Sequence, residues 1–169
     1  RVCRHRDVGI GEAFLHGGGD RVLGADDLVD RHGAGDLDDD GGRDAYRQLA
    51  ASADLVVETT RPGRLASLAL DHADLVTENP ALVQVSLTPF GRHGPHADWT
   101  TSDLVAGALG GVLSVSGTPD HPVNPWGRQN MNFGSFMAAV CGLAGVWDAR
   151  ESGIGQHVGG GEPHLGRVE

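Results

Sequence analysis

The stretch Ala53-Asp54-Leu55-Val56-Val57-Glu58-Thr59-Thr60-Arg61-Pro62-Gly63 decides the fold. Leu55-Val56-Val57 is a short β-branched run bounded by charges, which spells a strand. Pro62 lacks the N–H that strand pairing requires and Gly63 tolerates positive φ, so the chain reverses after Glu58. Upstream, Ala45, Leu49 and Ala50 recur at helical spacing and end at Ala53, giving a helix followed by the strand. Downstream, Leu65, Leu68 and Leu70 suit a short helix, Asp71 suits the N-cap of a second one through Val76, and Asn79-Pro80 stops it. Leu82-Val83-Gln84-Val85-Ser86-Leu87 then forms a second strand, ended by Pro89 and Gly91.

Residues 91–99 read as a polar loop, after which Thr101 or Ser102 is placed to cap a helix carrying Leu104, Val105, Ala108 and Leu109. A loop with Pro119, Pro122 and Pro125 follows. The last strong element runs from about Phe133 to Arg150 with small and apolar residues on nearly every side, so a buried, closely packed helix is expected. Strands alternating with helices predict an α/β fold, a layered parallel sheet flanked by helices. Ligands of such sheets bind beyond the carboxyl ends of the strands, which points to the turns after Val57 and after Leu87.

The bulk composition narrows the function classes. The 169 residues suit one domain. All 13 basic residues are Arg, and Gly is abundant at 27, a bias expected of a GC-rich bacterial genome. A formal net charge of −10 excludes nucleic acid and anionic membrane as natural partners, since both demand a basic surface. Cys3 and Cys141 are too few for a disulfide framework or a metal site, which fits a reducing, cytoplasmic setting. No run approaches the ~20 apolar residues that cross a bilayer. His93 and His96, with Gly94-Pro95 between them, read as exposed loop histidines; no metal is expected. Gly17-Gly18-Gly19 lacks the strand before it and the helix after it that a phosphate loop requires.

A likeness to a known family runs through the middle of the chain. Ala53 to Glu58 followed by Arg61-Pro62-Gly63 resembles the strand and Glu-Asn-Phe-Arg-Pro-Gly turn of the family III CoA-transferases of the CaiB/BaiF type. Asn79-Pro80-Ala81-Leu82 with Ser86, Phe90-Gly91 and Gly94-Pro95 resembles that family's next strand and loop. Ser102-Asp103-Leu104, Gly110-Gly111, Ser116-Gly117, Ala149-Arg150-Glu151, Gly153 and Gly155-Gln156-His157-Val158 complete an ordered series. The likeness divides the chain into a poorly matching segment 1–44, a family-like domain 45–158 in the manner of an incomplete Rossmann-like large domain, and an aberrant tail 159–169. Both ends look foreign to the family, and the chain lacks an initiator Met, so a fragment or a truncated gene is expected.

The resemblance implies an enzyme that moves coenzyme A between carboxylic acids by way of acyl-CoA thioesters, using a carboxylate nucleophile. It implies an interlocked homodimer and a small-molecule acyl-CoA partner. CoA contacts carry over to Thr59, Thr60, Arg61 and Thr88; a guanidinium matches phosphate geometry, so Arg61 either pairs with a CoA phosphate or braces its own turn. The nucleophile position falls at Met131, with Asn130 and Asn132 beside it, and no Asp or Glu lies between His121 and Trp147. Asp120 and Asp148 are the nearest acids in sequence. Two other readings stay open: a non-catalytic CoA-binding remnant, and a proton-transferring acyl-CoA racemase, for which no acid/base pair is found at matching positions. His157 is expected to order the turn after the last helix, and Asp103 to be a cap or a buried hydrogen-bond partner.

Overall fold

The computed structural model describes residues 22–23 and 37–161. The Gly17–Gly19 and Gly33–Gly35 patches and residues 162–169 lie outside them. The elements are β1 (Val22–Leu23), α1 (Asp40–Ser52), β2 (Leu55–Glu58), α2 (Arg64–Ser67), α3 (His72–Leu75), β3 (Val83–Thr88), α4 (Asp103–Leu109), a 3₁₀ turn (Val112–Ser114), a small hairpin β4 (Gly117–Thr118) and β5 (His121–Pro122), α5 (Gln129–Ser152) and β6 (His157–Gly161). The main sheet is parallel throughout, in the order β1-β2-β3-β6. This is the layered α/β fold that the sequence implies.

Local chemistry sets most element ends. Gly63 adopts φ +80 and admits α2. Asp71 closes a capping box with Asp74, each side chain accepting from the other residue's end of the first turn of α3. Ser102, not Thr101, caps α4 through Val105 N. The Asn79 amide donates to the carbonyls of Ala50 and Ala53 at 3.1 and 2.8 Å, adding to the Ala53 amide bond on the Ala50 carbonyl in closing the end of α1.

The two faces of the sheet are covered differently. On one, Leu55, Val83 and Val85 pack against Val146 and Ala149 of α5. Gly142 and Gly145 allow this approach: a Cβ on Gly142 would lie 3.1 Å from Val85 and one on Gly145 3.0 Å from Val83. On the other face, Val56 packs with Tyr46, Ala50, Leu65, Leu70, Leu75 and Leu82 under α1, α2 and α3. The stripe Gly42, Tyr46, Ala50 at four-residue spacing is the buried side of α1.

Three features depart from the sequence-based expectations. α1 begins at Asp40 and α5 at Gln129, each about one turn earlier than the apolar periodicity indicates. α5 is buried on one side only: Phe133, Phe136, Val140, Leu143 and Trp147 are 40–74% exposed, so its apolar outer face has no cover from the described residues. His157 does not order a turn; it opens β6, which pairs with β3 through Gly161.

Candidate functional site

The carboxyl edge of the parallel sheet is where the expected site residues gather. Leu55 pairs with Val83 and Glu58 with Ser86, so β2 and β3 end side by side. Thr59, Thr60 and Arg61 leave β2 at this edge, and Thr88 is the last residue of β3. Glu58 is buried, and its Oε2 accepts from the Thr60 amide at 2.7 Å and from the Thr60 hydroxyl at 2.6 Å. One carboxylate thereby fixes the turn. Thr59 is exposed, and the exposed Arg61 guanidinium makes no hydrogen bond or ion pair among the described residues.

Thr88 is buried, and its hydroxyl finds no hydrogen-bond partner among the described residues. It shares its face of β3 with Gln84 and Ser86, because side chains two apart on a strand point the same way. The hydroxyl therefore belongs to the layer beneath α1.

Met131 reaches the same edge along α5. Gly142 lies opposite Val85 and Gly145 opposite Val83, so α5 runs antiparallel to β3. Met131 sits about 16 Å along the helix from Gly142, at about 1.5 Å per residue. Thr88 lies about 10 Å past Val85, at about 3.3 Å per residue. The start of α5 therefore overhangs the ends of the strands, and the expected nucleophile position comes to the edge that the turn after β2 also forms.

No carboxylate belongs to Met131 itself, but one touches it. Asp103, at the start of α4, accepts from the Met131 amide at 3.0 Å and from the Asn130 side chain at 3.2 Å, with Asn124 at 3.5 Å. Asp103 thus caps α5 from another helix, where Arg128, in left-handed conformation, supplies no side-chain cap. Asp103 is therefore the cap and hydrogen-bond partner expected of it, although the helix end it serves, 28 residues on, is not indicated by the sequence. α4 is held close besides: Gly107 lies against the Asn130 amide, and a Cβ there would come within 2.7 Å of it. Asn132 is exposed and donates to the Gly127 carbonyl at 3.0 Å.

A second polar group lies further down the sheet under α3. Arg92, from the loop after β3, donates to Asp71 at 2.8 Å and meets the His157 ring at 2.8 Å, and Ser86 Oγ lies 2.8 Å from the same ring nitrogen. Burial raises the Asp71 pKa, but hydrogen bonds from Arg92 and from the His72 amide outweigh it and hold the carboxyl below its usual range. Burial, then the Arg92 charge, lowers the His157 pKa. Burial, with Glu58 and Asp71 nearby, pushes the Tyr46 phenol upward, so it stays neutral. His93 is exposed in the loop, and the His96 ring lies 4.0 Å from that of Trp99. A cleft of about 270 Å³ lined by Asp54, Ala81, Val146, Ala149 and Arg150 opens at the opposite, amino edge, away from all of these residues.

Known proteins match this arrangement. The sequence profile of CoA-transferase family III matches residues 31–161, which extends beyond 45–158 at both ends. The chain is 41% identical over 124 residues to the succinyl-CoA:(R)-benzylsuccinate CoA-transferase subunit BbsE of Thauera aromatica, covering 73% of this chain and 30% of that protein. It is 32% identical over 126 residues to the acetyl-CoA:oxalate CoA-transferase of Acetobacter aceti, covering 72% and 32%. Among solved structures, a CAIB/BAIF family protein from Brucella suis superposes with a TM-score of 0.69 at 30% identity, over 73% of this chain and 33% of that one. The chain thus spans about a third of the length of these relatives.

Proposed function

Because the chain belongs to CoA-transferase family III, we propose that it binds acyl-CoA thioesters at the carboxyl edge of its sheet and serves the transfer of CoA between carboxylic acids. The observation that carries this reading is the meeting of three segments at one edge: the turn after β2, the end of β3 and the overhanging start of α5. The unengaged Arg61 guanidinium is a donor available to a CoA phosphate, and Thr59 and Thr60 flank it on a turn that Glu58 holds rigid. Acyl transfer of this kind calls for no metal. The same reading makes the protein a cytoplasmic homodimer; no helix among the described residues is long and apolar enough to cross a membrane, and the outer face of α5 offers an apolar surface for a second chain.

Met131 favours a second reading, in which the chain binds CoA without forming an acyl-enzyme. One relative is itself named as a subunit, and a companion chain that carries the carboxylate would complete such a pair.

Isothermal titration with free CoA and acetyl-CoA tests the first reading. Saturable binding weakened at least tenfold by Arg61→Ala is expected, the loss of one charge-assisted phosphate contact being about 1.5–3 kcal/mol. A folded sample that binds neither compound overturns it. Met131→Asp separates the two readings: a trapped acyl-enzyme in the variant alone marks a site intact except for its nucleophile, and none in either protein assigns the chemistry to another chain.

A further inference from the structure

A partly buried cluster of titratable side chains stands apart from the carboxyl edge. It lies where β3, β6, α3 and the loop after β3 meet. Arg92 leaves that loop and turns back over the sheet. One arm of its guanidinium donates to Asp71 Oδ2 at 2.8 Å; the other lies 2.8 Å from His157 Nε2 and 3.3 Å from Nδ1. Ser86 Oγ, fully buried on β3, lies 2.8 Å from the same Nε2. The His72 ring stacks on that of His157 with centroids 5.8 Å apart, and its Nε2 lies 3.1 Å from the Leu82 carbonyl, an acceptor that obliges His72 to donate.

A guanidinium holds only donors and a permanent positive charge. It can rest against an imidazole only while that ring is neutral. Protonated His157 would face Arg92 from the loop and the ring of His72 from α3; Asp71 on α3 and Glu58 on β2 supply the nearby negative charge. Asp71 is already engaged by Arg92 and by the His72 amide, and Glu58 by Thr60. Both carboxylates still favour a protonated ring, but burial and the Arg92 charge outweigh them. The contact is also sheltered, with the side chains of Arg92 and Asp71 only 15% and 22% exposed, so salt and water screen it weakly.

We propose that Arg92 is a positioning residue that holds the loop 89–99 down on the sheet through neutral His157, and that protonation of His157 releases this loop. The loop continues directly from Thr88 and borders the acyl-CoA edge, so its functional effect rests on the reading above, whereas the latch itself does not. The lowered His157 pKa agrees with a ring kept neutral near pH 7.

The test follows the Gly91 and Gly94 amide signals and the His157 ring signals by NMR from pH 7.5 to 5. In the unaltered chain the glycine signals should shift together with the His157 titration. In His157→Gln, which keeps a neutral side chain, they should stay constant with pH. In Arg92→Ala they should sit at the released position throughout, with the His157 titration midpoint moved upward. Glycine signals indifferent to His157 titration, or a pH response that survives in His157→Gln, would overturn the proposal even if Arg92→Ala fails to fold. CoA titrations at the same pH values separate the two claims. If a third of the molecules hold the loop in place at the lower pH, affinity falls about threefold, and His157→Gln should not show this fall. A working latch in a chain that binds no CoA would sink the acyl-CoA reading and leave the latch standing.

Discussion

The two faces of the central strand solve burial in opposite ways. Toward α5, Val83 and Val85 meet glycines and aliphatic side chains. Toward α1 and α3, Gln84, Ser86 and Thr88 are just as fully buried, with Glu58 and Tyr46 beside them. Among the described residues, both amide atoms of Gln84, the Thr88 hydroxyl and the Tyr46 hydroxyl find no hydrogen-bond partner. An apolar face gains from every atom it buries, whereas a polar one gains only where partners are supplied. On β3 itself the first face contributes apolar burial alone, while the second carries polar side chains and the Arg92, His157 and Asp71 cluster; that side of the sheet is held by the apolar group of Val56, Tyr46, Leu65, Leu70, Leu75 and Leu82 around them. Site chemistry is thus confined to one side of this strand, whereas both sides of the sheet contribute apolar burial.

Substitutions should break this contrast in a definite order. Leu55→Ala, on the α5 face, should cost about 2–5 kcal/mol in urea unfolding, since it leaves a cavity that α5 cannot collapse into. A loss under 1 kcal/mol would mean that α5 is loosely docked. The polar face should dominate the response to acid. The His157 pKa is depressed below its ordinary 6.5 and that of Asp71 below 3.8, so in both cases the unfolded chain takes up protons first. The stabilising contribution of His157 is present above pH 6.5 and lost as pH falls through its folded value; that of Asp71 is present above pH 3.8 and lost below it. Melting temperature should therefore fall in two stages, and His157→Gln should remove the upper one. Gln84→Met keeps the shape and removes the unpartnered amide, which should raise stability by about 1 kcal/mol; a drop would reveal a bound water that satisfies the amide. Asp44→Ala removes an exposed ion pair with Arg47 on the outer side of α1 and should change stability by less than about 0.5 kcal/mol.

Sequence reasoning reached what local rules control. The β-branched run, the Pro62-Gly63 reversal, the Asp71 cap and the Asn79-Pro80 stop are all decided within a few residues, and each stands where expected. The polar face was legible but passed over: Val83-Gln84-Val85-Ser86-Leu87 alternates, where a central parallel strand ordinarily reads as a continuous apolar run. The early start of α5 was not legible, because its cap is Asp103, on another helix. Nor was the grouping of Asp71, Arg92 and His157, which depends on β6 lying beside β3. The exposure of α5 escaped for a simpler reason: its small apolar residues specify packing without saying how many partners are present. Of the expected site residues, Thr59, Thr60, Arg61 and Met131 share the carboxyl edge, while Thr88 ends there but turns its side chain inward.

The pairing of β3 with β6 also sets a timetable. Between them lie the loop after β3, α4, the small hairpin and the whole of α5, residues 89–156, and the junction is tight: Gly155 donates to the Pro80 carbonyl at 2.7 Å and a Cβ there would come within 2.0 Å of the Leu82 carbonyl oxygen. A ribosome releases residues in order, so β2 and β3 can meet early while the outer edge of β3 waits for its partner. Long-range parallel pairing of this kind is slow, and an uncovered edge is a template for wrong partners. The vulnerable interval in the life of this chain is therefore the one between the emergence of Thr88 and that of Gly161.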